Sequence, residues 1–212
     1  MTKKGYTVNK ILECDGKKTE ESLLSGAKIL SLILYSDATN VDTLGKSNLH
    51  PIYVSIGNIK NWRRNKPDAK QLLGFFPILE ASDNSEKQKD KFKNAARDSF
   101  HKSLELLLDP LLKLNNGINL TLNGNKIWFY PRVSVIIADW PEAATYCLTF
   151  KSAMSNFPCH SCLVTRNNLP NIDLQMDDIT PRTHINMYQY YSQGLEKSVC
   201  IENVPNYFWE LP

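Results

Sequence analysis

The sequence of 212 residues lacks a long apolar run, and this absence excludes several classes of protein. The longest hydrophobic stretch, residues 29–35, includes a serine and is far shorter than the roughly 20 residues that cross a bilayer. The first ten residues, MTKKGYTVNK, lack the apolar segment of a secretory signal peptide. We therefore expect an intracellular protein without a membrane span.

Other absences narrow the chemistry. The sequence has no P-loop, no G-x-G-x-x-G and no G-x-S-x-G, the motifs of common nucleotide-binding and hydrolase sites. Five cysteines, an odd number in an intracellular protein, argue against a disulfide framework and leave metal binding open. The net charge of +3 does not by itself indicate a polyanionic partner, and a content of 42% hydrophobic residues is typical of a globular chain.

Three apolar segments follow a polar, lysine-rich arm at residues 1–24. They span residues 27–39, 51–59 and 71–79, with turn-forming residues between them. Short connections between β-rich segments are typical of an antiparallel meander, so we predict three consecutive strands.

The middle of the sequence predicts one helix and one hairpin. Apolar residues recur at three- and four-residue steps from Phe92 to Leu111, as on an amphipathic helix, and Pro110 should kink the helix or end it early. Asn123-Gly124 lies between two β-rich segments, which is a strong hairpin signal.

The last third is predicted to contain a strand, a helix and a loop-rich tail. The strand covers residues 133–138 after Pro131, and the helix runs from Asp139 to the Phe157-Pro158 pair. The tail from residue 167 is polar apart from residues 185–191. It ends on an aromatic cluster whose rings need a surface to pack on, and we expect a truncated chain.

Two acids follow hydrophobic strands. Asp37 ends the first strand and Asp139 ends the fourth, and if these strands are neighbours their carboxylates share a site. Paired carboxylates suit Mg²⁺ or Mn²⁺. Asp139-Trp140-Pro141-Glu142 also fits a helix capping box, and Asp37 also fits a turn, so both interpretations stay open.

Cys159-His160-Ser161-Cys162 is a single C-x-x-C motif. Such a motif is half of a zinc site, a redox pair or a coincidence. A proline before it and a polar loop after it favour a zinc knuckle over a thioredoxin-like helix. No second C-x-x-C or H-x-x-H is present to complete the ligand set.

A basic segment lies between the second and third predicted strands. Its cations could follow a phosphate backbone, although such a segment can also be a solvated loop. The candidate DNA-binding residues are Lys60, Arg63, Arg64, Lys66 and Lys70, with Trp62 among them.

Two blocks of the sequence resemble Plavaka-type transposases, a CACTA-related group of fungal DNA transposases. The first block runs from "LILYSDAT" through "GNI" and the basic segment to "LLGFFPIL". The second block is "VSVIIADWPEAATYCLTFKSAMSNFPCHSCLV", in which His160 stands where the family has proline after the first cysteine.

The resemblance implies a mixed α/β fold of the α+β type, an RNase H-like DDE/D nuclease domain. In that domain a three-stranded meander and a helix precede a fourth strand beside the first. Asp37 and Asp139 then match the first two catalytic acids, which hold Mg²⁺ or Mn²⁺, and Cys159 and Cys162 match a C-x-x-C that could bind Zn²⁺. DNA, as transposon ends, is the implied partner, and the nucleus is the implied location.

The third acid of such a site is not visible in the sequence. Glu196, Glu202 and Glu210 do not match it, and we therefore expect a fragment that is inactive alone. The predicted division is an arm at 1–24, a partial catalytic core at 25–155 and a zinc-knuckle-like segment with its tail at 156–212. The alternative is a domesticated, non-catalytic module that binds DNA or protein.

Overall fold

A computed structural model describes residues 26–40, 48–114 and 116–209. The predicted arm at 1–24 and Glu210 lie outside the described residues. The strands are β1 (Lys28–Ser36), β2 (Thr39–Asn40), β3 (Asn48–Leu49), β4 (Pro51–Ile56), β5 (Lys70–Phe75), β6 (Ile118–Leu122) and β7 (Asn125–Ile137). The α-helices are α1 (Asn61–Arg64), α2 (Asn84–Gln88), α3 (Asp90–Leu112), α4 (Trp140–Cys147) and α5 (His184–Ser192).

Backbone contacts divide the chain into two compact units. Among the described residues, unit 1 contains those within 26–78 and 105–139, and unit 2 contains those within 79–104 and 140–209. The boundary predicted near residue 155 marks the end of a partial catalytic core. The division into two units does not test that boundary, which stays a prediction. No helix in the described ranges is both long and apolar enough to cross a membrane.

Unit 1 is built on a five-stranded mixed sheet in the order β5-β4-β1-β7-β6. β1, β4 and β5 form the predicted antiparallel meander, and β7 lies beside β1 in parallel. The family resemblance implied this arrangement of the first four strands. β6 pairs with β7 as the second arm of a hairpin at the sheet edge.

The two faces of this sheet differ in burial. On β1, Leu32, Leu34 and Ser36 are buried, whereas Ile33 and Tyr35 between them are half-buried or exposed. Because side chains alternate along a strand, one face of β1 packs into the core of unit 1 and the other is open.

The hairpin turn has the predicted sequence and the expected backbone. Asn123 and Gly124 have φ values of 51° and 80°, so both central residues adopt the left-handed region that a type I′ turn requires. Asparagine and glycine tolerate that region best, which explains why this pair gave a reliable signal.

The sequence predicted that Pro131 separates two strands, and this prediction was wrong. β7 continues through it and pairs Pro131 with Leu30 of β1. The β6–β7 ladder ends at Phe129, so Pro131 lies where one side of the strand has no hydrogen-bonding neighbour in that ladder. A missing N–H is tolerated at such an edge.

Pro110 lies inside α3, close to the last residue of that helix, Leu112.

Unit 2 contains more regular structure than predicted. The expected helix from Asp139 to Phe157 was wrong in length, because α4 ends at Cys147. Leu148 has a φ of 52°, and Thr149 leaves the helix to form a bridge with Ile201. The left-handed residue directs the chain away from the helix axis.

The tail is also more ordered than expected. It contains α5, which was not predicted and which includes the less polar residues 185–191. It also forms short 3-10 helices that include Glu196–Val199 and Tyr207–Trp209. Met187, Val199 and Ile201 form a buried cluster with Trp209 against it. The terminal aromatic rings therefore find packing partners within unit 2.

Candidate functional site

The strand register brings the two predicted acids to one edge of the sheet. β1 and β7 are parallel and pair Tyr35 with Ile137. Asp37 and Asp139 each stand two residues beyond that pair. Neighbouring strands lie about 4.8 Å apart and residues two apart share a face, so both acids belong to the face of Tyr35.

Burial along the two strand ends agrees with this placement. Ser36 and Ala138, one residue before each acid, are 1% and 7% exposed. Asp37 and Asp139 themselves are exposed. The core therefore holds the neighbouring residues of the acids, and the carboxylates project from the open face.

Tyr35 is a site residue that sequence analysis missed. Its hydroxyl donates a hydrogen bond of 3.3 Å to Oδ2 of Asp37. Burial raises the pKa of Tyr35, and the negative charges of Asp37 and, more weakly, Asp139 raise it further. The charges of both carboxylates therefore affect the pKa of the same phenol. The available signal was its position two residues before Asp37, on the same face of a predicted strand.

The capping interpretation of Asp139 remains compatible with the structure. Asp139 immediately precedes α4, and Glu142 lies in the first turn of that helix. Within the described residues, no group of three or more His, Cys, Asp or Glu side chains is arranged to hold a metal ion. The acids at the β1 and β7 ends are thus a pair, without a third ligand in the described ranges.

The basic segment begins with an anchored turn after β4. The Gly57 N–H donates to the carbonyl oxygen of Ser31 at 2.7 Å, and a Cβ at position 57 would collide with the Ser31 hydroxyl. The Asn58 amide accepts from the Ser31 N–H at 2.9 Å and donates to the Ile29 carbonyl at 3.0 Å. The side chain of Asn58 thus supplies hydrogen-bonding partners to the part of β1 that extends beyond the end of β4.

The five predicted DNA-binding cations fall into two groups. Arg63 forms a bidentate ion pair with Asp68 at 2.8 and 2.7 Å, and Arg64 donates to the carbonyl of Gly57 at 3.1 Å and to the Asn61 side chain. These two arginines hold the loop together. Lys60, Lys66 and Lys70 are exposed, and no described carboxylate lies within ion-pairing distance of them.

The two cysteines of the C-x-x-C motif are adjacent in unit 2. The Ser161 N–H donates to Sγ of Cys159 at 3.3 Å. Burial raises the pKa of Cys162, the Cys159 thiol contributes to the rise, and a backbone hydrogen bond from Val164 opposes it. The net rise in the pKa of Cys162 favours its neutral thiol, and the zinc interpretation of the pair stays a prediction.

A buried arginine near these thiols was not anticipated. Arg182 is only 6% exposed and donates to the carbonyls of Cys159, Phe157 and Val199 at 3.0, 3.1 and 2.7 Å. Burial lowers the pKa of its guanidinium, and four thiols oppose this: Cys159, Cys200, Cys147 and Cys162. A single arginine in a polar stretch gave no sequence signal for this role.

Two histidines of unit 2, His160 and His101, are buried. Nδ1 of His160 lies 2.8 Å from the Thr149 hydroxyl, and burial, aided by Arg182, lowers the pKa of His160 to about 4. His101 donates from Nε2 to the Thr145 carbonyl and accepts at Nδ1 from the Tyr207 N–H. In this neutral tautomer both ring nitrogens of His101 are bonded to backbone groups, which gives the residue a structural role.

The candidate third acids in the described tail have other surroundings. Glu196 is buried in a 3-10 helix. Glu202 forms an ion pair of 2.5 Å with Arg97, and burial raises the pKa of its carboxyl. Neither residue belongs to unit 1, where Asp37 and Asp139 lie.

Comparison with protein families identifies one family for the chain. A sequence model of the Plavaka transposase family matches residues 6–211, nearly the whole chain. The chain belongs to the Plavaka transposase family. No curated protein matches it significantly. In this Plavaka chain the two strand-end acids and the basic loop lie in unit 1, and the C-x-x-C motif lies in unit 2.

Proposed function

We propose that this Plavaka chain carries the first two metal-binding acids of an RNase H-like DDE/D transposase core. Asp37 and Asp139 are those acids, and the parent reaction is metal-dependent hydrolysis and strand transfer of DNA phosphodiesters. The observation that carries this proposal is the parallel β1–β7 register, which aligns Asp37 with Asp139 on one open face. Membership of a transposase family supports it independently.

The donor chemistry fits a hard divalent cation. Two exposed carboxylates on neighbouring strand ends supply oxygen ligands of the kind that Mg²⁺ and Mn²⁺ prefer. When bound, such an ion polarises a phosphodiester and lowers the pKa of water. The protein's own part is to hold the two carboxylates on a rigid sheet, with Tyr35 donating to Asp37.

The cations of unit 1 would contact DNA at the opposite end of β1 from the two acids, because the basic loop is anchored at Ile29 and Ser31. Lys60, Lys66 and Lys70 are exposed and carry the charge for contact with phosphates, whereas Arg63 and Arg64 act within the loop. Phosphate contacts of this kind position a duplex without reading its sequence. Because chromosomal DNA is the substrate of a transposase, we place the parent protein in the nucleus.

Zinc binding at Cys159 and Cys162 stays a prediction. The two thiols supply half of a tetrahedral site, and the described residues contribute no third ligand. The zinc content of the purified chain tests this prediction, with Cys159→Ser expected to lower it.

Titration with Mn²⁺, followed by electron paramagnetic resonance, tests the proposed site. We expect Asp37→Asn and Asp139→Asn each to weaken binding at least about tenfold, a loss of about 1.4 kcal/mol. Asp173→Asn is the matched control, because Asp173 is also exposed but lies in unit 2. Equal Mn²⁺ affinity in all three variants and the wild type would refute a shared metal site.

A further inference from the structure

The basic segment carries one large apolar side chain, that of Trp62. It lies in α1 and is 68% exposed. Leaving an aromatic side chain in water forgoes roughly 1.5–3 kcal/mol of burial energy. Surface tryptophans are enriched in binding sites because the rigid ring offers a large contact area. Its position therefore points to a partner.

The loop that carries Trp62 is held in place without using the indole ring. Gly57 and Asn58 bond to β1, and Arg64 donates to the Gly57 carbonyl. The Arg63–Asp68 ion pair closes the other side of the loop. The fold of the loop is thus established by its neighbours, which leaves Trp62 pre-organised for contact with a ligand.

The charges around Trp62 select the chemistry of that ligand. Lys60, Lys66 and Lys70 flank it along the loop and are exposed, so the surface combines an aromatic ring with positive charge. A flat ring beside cations fits a base and its phosphates. In a duplex the base faces are already stacked on each other, so this combination favours unpaired nucleotides.

We propose that Trp62 stacks on an unpaired base of single-stranded DNA, while Lys60, Lys66 and Lys70 contact the adjacent phosphates. This inference rests on the proposed DNA-processing function and adds a preference for unpaired strands. Separation of strands at a cleavage site would expose such bases.

Fluorescence anisotropy with dye-labelled oligonucleotides of about 12 nucleotides, within the usual range of such sites, tests the proposal on the full chain. We expect wild-type protein to bind oligothymidine more tightly than a duplex of equal length at the same salt concentration. Trp62→Ala should weaken single-strand binding by about 5- to 150-fold, the range for loss of one stacked base. It should change duplex binding less than about twofold, since only phosphate contacts remain there.

Trp62→Phe is the matched control, since it retains a ring that can stack and should retain most of the single-strand affinity. Replacing the three lysines with alanine should weaken binding to both forms and lower the salt dependence by about 0.7 per lost phosphate contact on single strands. Unchanged single-strand binding by Trp62→Ala, or an equal loss on duplex, would overturn the stacking role.

The Mn²⁺ titration separates this inference from the proposed function. Trp62→Ala should bind Mn²⁺ like the wild type, because Trp62 contributes no metal ligand. If Asp37→Asn leaves Mn²⁺ binding unchanged while Trp62→Ala loses single-strand binding, the metal site is refuted and the stacking role stands. The reverse pattern refutes the stacking role alone.

Discussion

The two units of this chain use polar side chains in opposite ways. In unit 1 the candidate acids and lysines are exposed, at the end and along the loops of a rigid sheet. In unit 2 Arg182 and His101 are buried and hydrogen-bonded to backbone groups. Exposed charges on a rigid frame are available to ligands, whereas buried, satisfied ones stabilise the fold. The buried polar network therefore supports the fold of unit 2, and the exposed groups of unit 1 are the candidates for contact with a ligand.

The largest expected effect is in unit 2. Arg182→Ala should lower the free energy of unfolding by about 3 kcal/mol or more, because it leaves three carbonyls without their donor in a buried setting. Urea denaturation followed by circular dichroism measures the change. Arg166→Ala is the control, since Arg166 is exposed and its side chain bonds to the exposed residue Met154. Similar losses in the two variants would contradict the structural role of Arg182.

Acidification should also destabilise unit 2 through its buried histidines. Burial lowers the pKa of His101 to about 4, below its unfolded value of 6.5. Protonation therefore favours the unfolded state, and the contribution of His101 to stability is present above pH 6.5 and is lost as the pH falls toward 4. We expect a loss of about 1–2 kcal/mol per histidine between pH 6.5 and 5.

His101→Gln tests this origin of the pH dependence. This substitution removes one titrating group, so the slope of unfolding free energy against pH should become flatter. The pKa of His160 is also lowered to about 4, so substituting His160 as well should flatten the slope further. A slope that is unchanged in the double variant would show that other groups cause the acid sensitivity.

Substitutions of the unit 1 acids should have smaller effects on stability. Asp37→Asn and Asp139→Asn should change the unfolding free energy by no more than about 0.5 kcal/mol, because both side chains are exposed.

Asp139→Ala should lower the unfolding free energy by about 1 kcal/mol more than Asp139→Asn, since asparagine can still cap α4 and alanine cannot. Urea denaturation of the three variants separates the two roles, and equal stability of the two Asp139 variants would remove the capping role.

The smallest effect is expected at Tyr35. Tyr35→Phe removes a long hydrogen bond of 3.3 Å to Asp37. We expect the Mn²⁺ affinity to fall less than about threefold, which is well under the tenfold change that corresponds to about 1.4 kcal/mol. The Mn²⁺ titration used for the aspartates measures it. A fall as large as that of Asp37→Asn would mean that the phenol itself takes part in metal binding.

Local signals in the sequence predicted the elements of unit 1 well. Asn123-Gly124 specified its turn because few other pairs accept two residues of positive φ. The three apolar segments with turn-forming residues between them were also sufficient to locate β1, β4 and β5. Pro131 misled, because its effect depends on whether a neighbouring strand needs its missing N–H, and that is a property of the sheet.

The sequence was less informative for unit 2. Its helix α4 ends at Cys147, although the following residues carry no proline or glycine until Pro158. The chain leaves the helix because Thr149 pairs with Ile201, some fifty residues away in the sequence. Arg182 likewise has no local signature, since its hydrogen-bonding partners come from distant segments.

The sequence by itself determined the family, the strands of the meander, the hairpin turn and the identity of the two strand-end acids, because these depend on neighbouring residues and on motif order. Tertiary structure alone decided that β7 lies parallel to β1, that Tyr35 contacts Asp37, and that Arg63 and Arg64 are used internally while Trp62 and three lysines stay exposed. The reason is physical: which face of a strand is open, and which cation already has a partner, depends on contacts between residues far apart in the chain.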